Sequence, residues 1–217
     1  MSDERPLRIL IGVASAPEIY VGWRVAIDEW AARASPAVEL RFMYAWSANH
    51  SINFNRLIST AKLDPCAFFG SLETDVIPEV DPDELAAILL EHHAEGRHVV
   101  GTGLALRDGT WGFDPGNCPP PDGSHPFFPV DYTNLGFTFV SRQALAGLKP
   151  IYTIHTREND FELFAADVDQ EPMRVGLDYS FSWRLRRRGF QPWIDRRIRT
   201  THGRDLKRKS WGWDDRE

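Results

Sequence analysis

The sequence has few cysteines and no long apolar run, and each absence excludes a class of protein. Its two cysteines, Cys66 and Cys118, lie far apart and neither belongs to a C-x-x-C pair. This pattern argues against a disulfide scaffold and against a structural zinc site. No apolar stretch approaches the ~20 residues that a membrane-spanning helix needs. The polar N-terminus lacks the apolar core of a signal peptide. We therefore expect a cytoplasmic protein without a transmembrane segment.

Positive charge is scarce except near the C-terminus. The formal net charge is −6, which argues against general coating of nucleic acid. Arginines and lysines nevertheless concentrate at 184–209. Such a patch fits a site for nucleic acid, for anionic lipid headgroups or for a diphosphate. It equally fits a solvated face that is offset by the acidic segment at 156–172.

The length and composition are those of one globular domain. The 217 residues are 42% apolar and 26% charged, which are ordinary values for a soluble protein with one core. No linker or repeat divides the chain, so we treat 1–217 as a single domain with a long loop at 107–134 and a basic tail at 203–217. Since the loop is rich in glycine, proline and aromatic residues, we expect a binding loop or lid.

Strand and helix patterns alternate along the first part of the chain. Apolar or alternating runs predict strands at 7–15, 38–44 and 67–72. Helical spacing predicts helices at 18–34 and 51–63, between these strands. The alternation predicts an α/β fold with a mostly parallel central sheet and right-handed crossovers.

The later part of the chain continues the pattern. Asp81-Pro82 predicts the start of a helix, and Gly189 predicts the end of a helix at 176–190. Further strands are expected at 98–106, 137–140 and 191–198. We also predict the surroundings of single side chains: a core position for Val21, Val25, Ile27, Trp30, Ala31, Cys66, Phe181 and Trp183, and a surface or helix-end position for His92, His93 and His98.

The third strand ends in two carboxylates, Glu73 and Asp75, that are separated by Thr74. In an open α/β sheet, ligands bind at the carboxyl edge of the strands. Carboxylates at this edge can bind a hard divalent cation that in turn binds a phosphate. The two side chains point the same way if strand geometry persists to Asp75. The alternative is a solvated acidic loop after a strand.

Four short motifs occur in a particular order. They are Glu73-Thr74-Asp75, Asn134-Leu135-Gly136, Gly176-Leu177-Asp178-Tyr179 and His202-Gly203. This order resembles glycosyltransferases of the GT-A fold, especially the broad family 2-like group, in which a D-x-D motif, a glycine loop, an x-E-D motif and a C-terminal histidine follow one another. The resemblance runs from the first strand to Gly203. It implies a Rossmann-like nucleotide-diphospho-sugar transferase fold and metal-dependent sugar transfer, with inversion expected.

The resemblance also implies a role for each matching residue. Asp75, Glu73 and His202 would bind Mn²⁺ or Mg²⁺, and an imidazole is a normal ligand of Mn²⁺. Asp178 would be the general base. The donor would be a UDP- or GDP-sugar. Its binding residues would be Ala14, Ser15, Glu18, Arg56, Glu73, Thr74, Asn134 and Gly136.

The sequence departs from the family pattern at two positions. Glu73 replaces the more common Asp, and Leu177 replaces the Glu of x-E-D. Asp178 also fits an acid that the helix dipole favours, and His202 fits a surface residue beside a turn glycine. Two other functions therefore stay open: a non-catalytic nucleotide- or carbohydrate-binding module, and a glycosyltransferase acting on modified nucleic-acid bases. The acceptor class, whether glycan, small molecule or modified DNA, is equally open.

Overall fold

Strands and helices alternate along the first half of the chain, as predicted. The computed structural model describes residues 5–15, 21–46, 50–103, 113–114, 118, 125–148 and 177–202. In chain order the elements are β1 (Leu7–Ser15), α1 (Val21–Ala31), β2 (Val38–Trp46), α2 (His50–Leu63), β3 (Phe68–Glu73), β4 (Val76–Pro78), α3 (Pro82–Ala94), β5 (Val99–Gly101), β6 (Phe113–Asp114), β7 (Phe127–Pro129), β8 (Tyr132–Thr133), β9 (Phe137–Ser141), α4 (Arg142–Gly147), α5 (Leu177–Arg187), β10 (Pro192–Asp195) and β11 (Thr200–His202).

The central sheet has seven strands in the order β2-β1-β3-β9-β5-β10-β7. Strands β1, β2, β3, β5 and β10 run in one direction, whereas β9 and β7 run against their neighbours. The predicted α/β class with a mostly parallel central sheet is therefore confirmed. Because parallel strands end at a common edge, the register places Ser15 beside Trp46, and Ala14 beside Glu73. This shared edge is where ligands bind in open α/β sheets.

Helices cover both faces of the sheet and bury two apolar clusters. On one face, α1 and α3 pack against side chains of β1, β3 and β9. On the other face, α2, α4 and α5 pack against the alternate side chains of the same strands. Cys66 is fully buried in this second cluster, as predicted. Burial on both faces explains why the central strands are continuous apolar runs.

Helix α1 buries Ile27 and Trp30 as predicted, but not Val21 and Val25. Val21 and Val25 are exposed, with 74% and 51% of their surface accessible, whereas Trp23 is buried together with Ile27 and Trp30. The indole N–H of Trp23 donates to the carbonyl of Val76 at 2.8 Å, and that of Trp30 donates to the carbonyl of Val80 at 2.7 Å. A buried indole needs such a partner. The two bonds attach α1 to the chain that follows Asp75.

Several local signals give the expected structure. Asp81 caps α3, since its carboxylate accepts the N–H of Asp83, and Pro82 opens the helix. Gly189 follows α5 with a φ of 84°, in the left-handed region that favours glycine. Phe181 is buried as predicted, whereas Trp183 is only partly buried. Of the helices that the structure describes, none combines the length and the apolar character that crossing a membrane requires.

His92 lies at a helix end, as predicted, but it is not on the surface. This histidine lies in the last turn of α3 and is fully buried. Its Nε2 lies 2.8 Å from Oδ2 of Asp195, and its Nδ1 lies 2.6 Å from Nε of Arg97. Because arginine can only donate, Nδ1 is the acceptor and Nε2 donates its proton to Asp195.

Candidate active site

The Glu73-Thr74-Asp75 motif forms the connection between β3 and β4. β3 is buried up to Leu72 and ends at Glu73, and Thr74 and Asp75 form a turn. Strand alternation therefore does not determine the direction of the Asp75 side chain. β4 pairs with β11, which places the backbone of His202 opposite Val76, one residue after Asp75. The His202 side chain, predicted to bind a metal, lies outside the described part of the structure.

The Asn134-Leu135-Gly136 turn lies directly against the end of β3. The backbone N–H of Glu73 donates to the carbonyl of Gly136 at 3.0 Å. Within the turn, the buried Asn134 accepts the N–H of Gly136 on its Oδ1 at 2.9 Å. Its Nδ2 donates to the carbonyl of Thr102, just beyond β5, at 3.3 Å. Asn134 therefore fixes the backbone of this turn, as Asn side chains often do.

Asp178 reaches the same turn from α5. It lies in the first turn of the helix, and its carboxylate accepts the backbone N–H of Leu135 as well as its own N–H. A carboxylate at this end of a helix is favoured by the helix dipole. The N-terminus of α5 is thus held beside Asn134-Leu135-Gly136, which is itself bonded to Glu73. Three motifs that are far apart in the sequence meet here.

Burial and neighbouring negative charge both act on the carboxylates of this site. Burial, and to a smaller extent the negative charges of Asp178 and Asp75, together raise the pKa of Glu73 from its ordinary 4.5 to about 7. Burial also raises the pKa of Asp178, and its effect outweighs that of the two N–H groups, which stabilise the charged form and lower the pKa. The pKa of Asp178 is therefore about 6. A buried carboxylate whose pKa is raised further by neighbouring negative charge is typical of functional sites. Glu73, Asp75 and Asp178 therefore form one cluster.

The donor groups in this cluster are carboxylates, the ligand type that a hard divalent cation prefers. Within the described ranges, no group of three or more His, Cys, Asp or Glu residues is arranged as a metal site. Mg²⁺ and similar ions are often bound by only one or two carboxylates, with substrate phosphates and water completing the coordination. Glu73 and Asp75 could supply such a pair, and a bound cation would offset the repulsion that raises the pKa of Glu73.

A groove lies at the carboxyl end of β2, next to the end of β1. Its volume is about 370 Å³. Arg56 is exposed on α2 at this groove, and the Trp46 side chain is 63% accessible. The groove is lined by Met43, Tyr44, Ala45, Trp46, Arg56, Leu57 and Thr60. Of the other predicted donor residues, Ala14 is buried and pairs with Glu73 in the sheet. The Ser15 side chain and the whole of Glu18 lie outside the described residues.

Sequence reasoning missed Ser182, which fixes α5 to the site. Ser182 lies one helical turn after Asp178 and is fully buried. Its hydroxyl accepts the backbone N–H of Thr133 at 3.1 Å and donates to the carbonyl of Thr133 at 3.3 Å. The available signal was a serine between Phe181 and Trp183 inside a helix, where serine is disfavoured unless its hydroxyl has a partner.

The burial of Glu73 close to other negative charges leads to a stability prediction. We expect Glu73→Gln to stabilise the fold at pH 8 by about 1–3 kcal/mol, because a carboxylate whose folded pKa is raised costs stability when it ionises. Glu73 contributes its full stability below its ordinary pKa of 4.5 and loses that contribution as the pH rises through about 7. The variant should therefore gain over wild type between pH 4.5 and pH 8.

Urea unfolding across this pH range, in a chelator, measures the effect. Glu29→Gln, which removes an exposed carboxylate of α1, is the matched control and should show no such gain. A Glu73→Gln variant that is no more stable than wild type at pH 8 would show that the pKa of Glu73 is not raised in the folded protein.

The fold, but no family, is shown by comparison with known proteins. No protein-family model and no curated protein sequence matches the chain. Among solved structures, A197 from STIV is similar with a TM-score of 0.58 and 14% identity, over 90% of this chain and 85% of that one. At this identity the similarity establishes a common fold.

Two further structures are less similar. A glycosyltransferase involved in the glycosylation of the major capsid of PBCV-1 has a TM-score of 0.38 and 16% identity, over 65% of this chain and 63% of that one. UDP-glucose pyrophosphorylase complexed with UDP-glucose has a TM-score of 0.37 and 9% identity, over 87% of this chain and 72% of that one. Similarity at this level does not transfer a function.

Proposed function

We propose that this protein is a metal-dependent glycosyltransferase that moves a sugar from a nucleotide-sugar donor to an acceptor hydroxyl, with inversion at the anomeric carbon. The observation that carries the proposal is that Glu73, through its backbone, and Asp178, through its carboxylate, both bond to the Asn134-Leu135-Gly136 turn, with Asp75 two residues after Glu73. The order of the motifs in the sequence supports the same reading. The cluster combines a pair of carboxylates for a cation with a separate carboxylate for proton transfer.

Asp178 is the general base in this proposal. The acceptor oxygen attacks the anomeric carbon, its proton passes to the Asp178 carboxylate, and the bond between the anomeric carbon and the diphosphate oxygen breaks. The nucleoside diphosphate leaves with the electron pair of that bond. A pKa of about 6 keeps Asp178 mostly ionised at neutral pH while leaving it basic enough to accept a proton.

Glu73 and Asp75 would hold Mn²⁺ or Mg²⁺ against the donor diphosphate, and the cation would neutralise charge on the leaving group. The groove at Trp46 and Arg56 suits the rest of the nucleotide, because an exposed indole can stack on a base and a guanidinium can bind a phosphate. UDP- and GDP-sugars are the donors we expect. The acceptor hydroxyl would lie beside Asp178.

A non-catalytic binding module of the same fold is the second candidate. Leu177, the first residue of α5, stands where the resembling enzymes carry Glu, so one polar group beside the base is absent. Release of nucleoside diphosphate distinguishes the two functions. An enzyme releases it in the presence of acceptor or, more slowly, by hydrolysis, whereas a module binds the nucleotide sugar without any turnover.

Thermal unfolding with a panel of UDP- and GDP-sugars, each with and without Mn²⁺, tests the donor site. At a ligand concentration 100 times its Kd, we expect Tm to rise by about 5–10 °C. The rise should require both Mn²⁺ and Asp75, and Asp75→Ala should abolish it. Asp28→Ala, on the exposed surface of α1, is the control and should respond like wild type. If no nucleotide sugar shifts Tm in either metal condition, the glycosyltransferase proposal is wrong.

A further inference from the structure

One face of α5 carries aromatic and basic side chains that lead away from Asp178. Tyr179, Trp183 and Arg186 are spaced at i, i+4 and i+7 and therefore lie on one side of the helix. All three are partly exposed. The ring of Tyr179 packs against Tyr132 with ring centroids 6.0 Å apart, and Arg186 forms a 2.8 Å ion pair with Asp131. This face of α5, which we call the α5 track, thus runs along the Asp131-Tyr132 segment.

The far end of the α5 track opens into a groove of about 400 Å³. Trp183, Arg186, Arg187, Gly189 and Gln191 line this groove. The guanidinium of Arg187 lies 5.0 Å from the centre of the Trp183 ring, within cation–π range. Gly189 has no atom within 4 Å of the position that a Cβ would occupy, so the groove is open on that side.

The helix alone does not explain this arrangement. The negative end of the helix dipole favours arginines in the last turn, which accounts for the positive charge. It does not account for an indole that stays partly exposed in a groove beside the guanidinium of Arg187, because an aromatic side chain contributes most when it is buried. A flat apolar surface flanked by guanidinium groups is suited to a ligand that has a ring face and an oxyanion.

We propose that this groove binds an anionic saccharide acceptor, with its carboxylate, sulfate or phosphate group on Arg186 and Arg187 and a sugar ring against Trp183. Asp131 holds Arg186 by one edge, and the remaining N–H donors of a guanidinium can bind a second oxyanion. Arg186 lies eight residues after Asp178, which is about 12 Å along the helix axis. A short oligosaccharide spans such a distance, so its reacting hydroxyl can lie at Asp178 while its anionic group occupies the groove.

The groove fits a saccharide better than a nucleic acid. Proteins that bind nucleic acid contact several phosphates along the strand, and their affinity depends steeply on salt. Here two arginines lie in a single groove, in a chain whose formal net charge is −6. One localised oxyanion satisfies this charge pattern.

Calorimetric titration of the full chain with a sulfated chondroitin tetrasaccharide tests the groove, with neutral chitotetraose as the comparison. We expect the sulfated probe to bind at least 10-fold more tightly, and the Arg186→Gln/Arg187→Gln variant to lose that preference. Arg5→Gln/Arg33→Gln removes the same charge from exposed positions elsewhere. This control variant should keep the preference for the sulfated probe. If the first double variant has a lowered Tm, Arg187→Gln alone, at an exposed position, should weaken binding at least 3-fold.

That the bound saccharide is the acceptor rests on the proposed function, whereas its binding in the groove does not. The titration therefore contains neither a nucleotide-sugar donor nor a metal. Failure of the nucleotide sugars to shift Tm would then overturn the proposal of a transferase, but it would not affect the proposal of a saccharide site. Equal affinity for both tetrasaccharides, or an unchanged preference in the Arg186→Gln/Arg187→Gln variant, would overturn the proposal that this groove binds an anionic saccharide. Tighter binding of single-stranded oligo(dT) than of the sulfated probe would also overturn it, in favour of a nucleic-acid partner.

Discussion

Asp178→Asn is expected to slow sugar transfer by about 10²–10⁴-fold and to leave donor affinity unchanged, because a general base contributes roughly this factor. The substitution keeps the shape of the side chain. Its Oδ1 can still accept the backbone N–H of Leu135, which the Asp178 carboxylate accepts in the wild type. The α5 helix should therefore stay in place while the group that takes the proton is lost.

Single-turnover transfer and donor binding, measured on the same preparation, separate the two effects. Asp28→Asn makes the same chemical change at an exposed position of α1 and should keep the wild-type rate. A loss of donor affinity equal to the loss of rate would show that Asp178 binds the donor rather than the acceptor proton. A rate within a factor of about 3 of wild type would exclude Asp178 as the base.

Much of the fold could be predicted because its signals are local. Apolar runs mark the strands, Asp81-Pro82 marks the start of α3, and Gly189 marks the end of α5. The position of β9 between β3 and β5, antiparallel to both, could not be predicted. Phe137–Ser141 is buried throughout, and a run that is apolar on both faces fits a central strand in either direction.

The face of α1 shows a different limit. Its sequence contains two apolar stripes, one through Val21 and Val25 and one through Trp23, Ile27 and Trp30. Periodicity does not choose between them. The choice depends on the carbonyl groups that receive the two indole N–H groups, and these belong to a segment some fifty positions away in the chain.

The sequence indicated the acidic residues of the candidate site but not the residues that hold them in position. The motif order indicated Glu73, Asp75 and Asp178, and Glu73 lies where the negative charges of the other two raise its pKa; their roles stay predictions. The bonds that position them are long-range: Ser182 with Thr133, and Asn134 with Thr102. No short motif encodes such a pair, since each partner is an ordinary polar residue until the fold brings it to the other.

A second large effect is expected away from this cluster, at Asp195. We expect Asp195→Asn to destabilise the protein by about 3 kcal/mol, which is the cost of removing one partner from a buried charged network. The carboxylate accepts the Nε2 proton of His92 at 2.8 Å and guanidinium donors of Arg197 at 2.7–3.1 Å. An amide in its place turns an N–H group toward these donors. The loss of stability should stay near the lower end of the range for such networks, because Glu91 still pairs with Arg197, at 2.7 Å.

Asp28→Asn is again the matched control, since it breaks the exposed ion pair with Arg24, and such pairs contribute about 0.5 kcal/mol. Thermal unfolding should therefore show a fall of about 6–12 °C for Asp195→Asn and a far smaller one for the control. A fall of less than 2 °C would mean that the network does not contribute to stability.

The pH dependence of this difference identifies its cause. Burial alone would raise the pKa of Asp195, but the hydrogen bonds from His92 and Arg197 outweigh it and lower the pKa from 3.8 to about 2. A carboxyl group whose folded pKa is depressed stabilises the protein above its ordinary pKa and loses that contribution as the pH falls toward the folded value. The difference between wild type and Asp195→Asn should therefore be constant from pH 7 to pH 5 and shrink between pH 4 and pH 2. A difference that persists unchanged at pH 2 would assign the effect to altered packing rather than to the charge of Asp195.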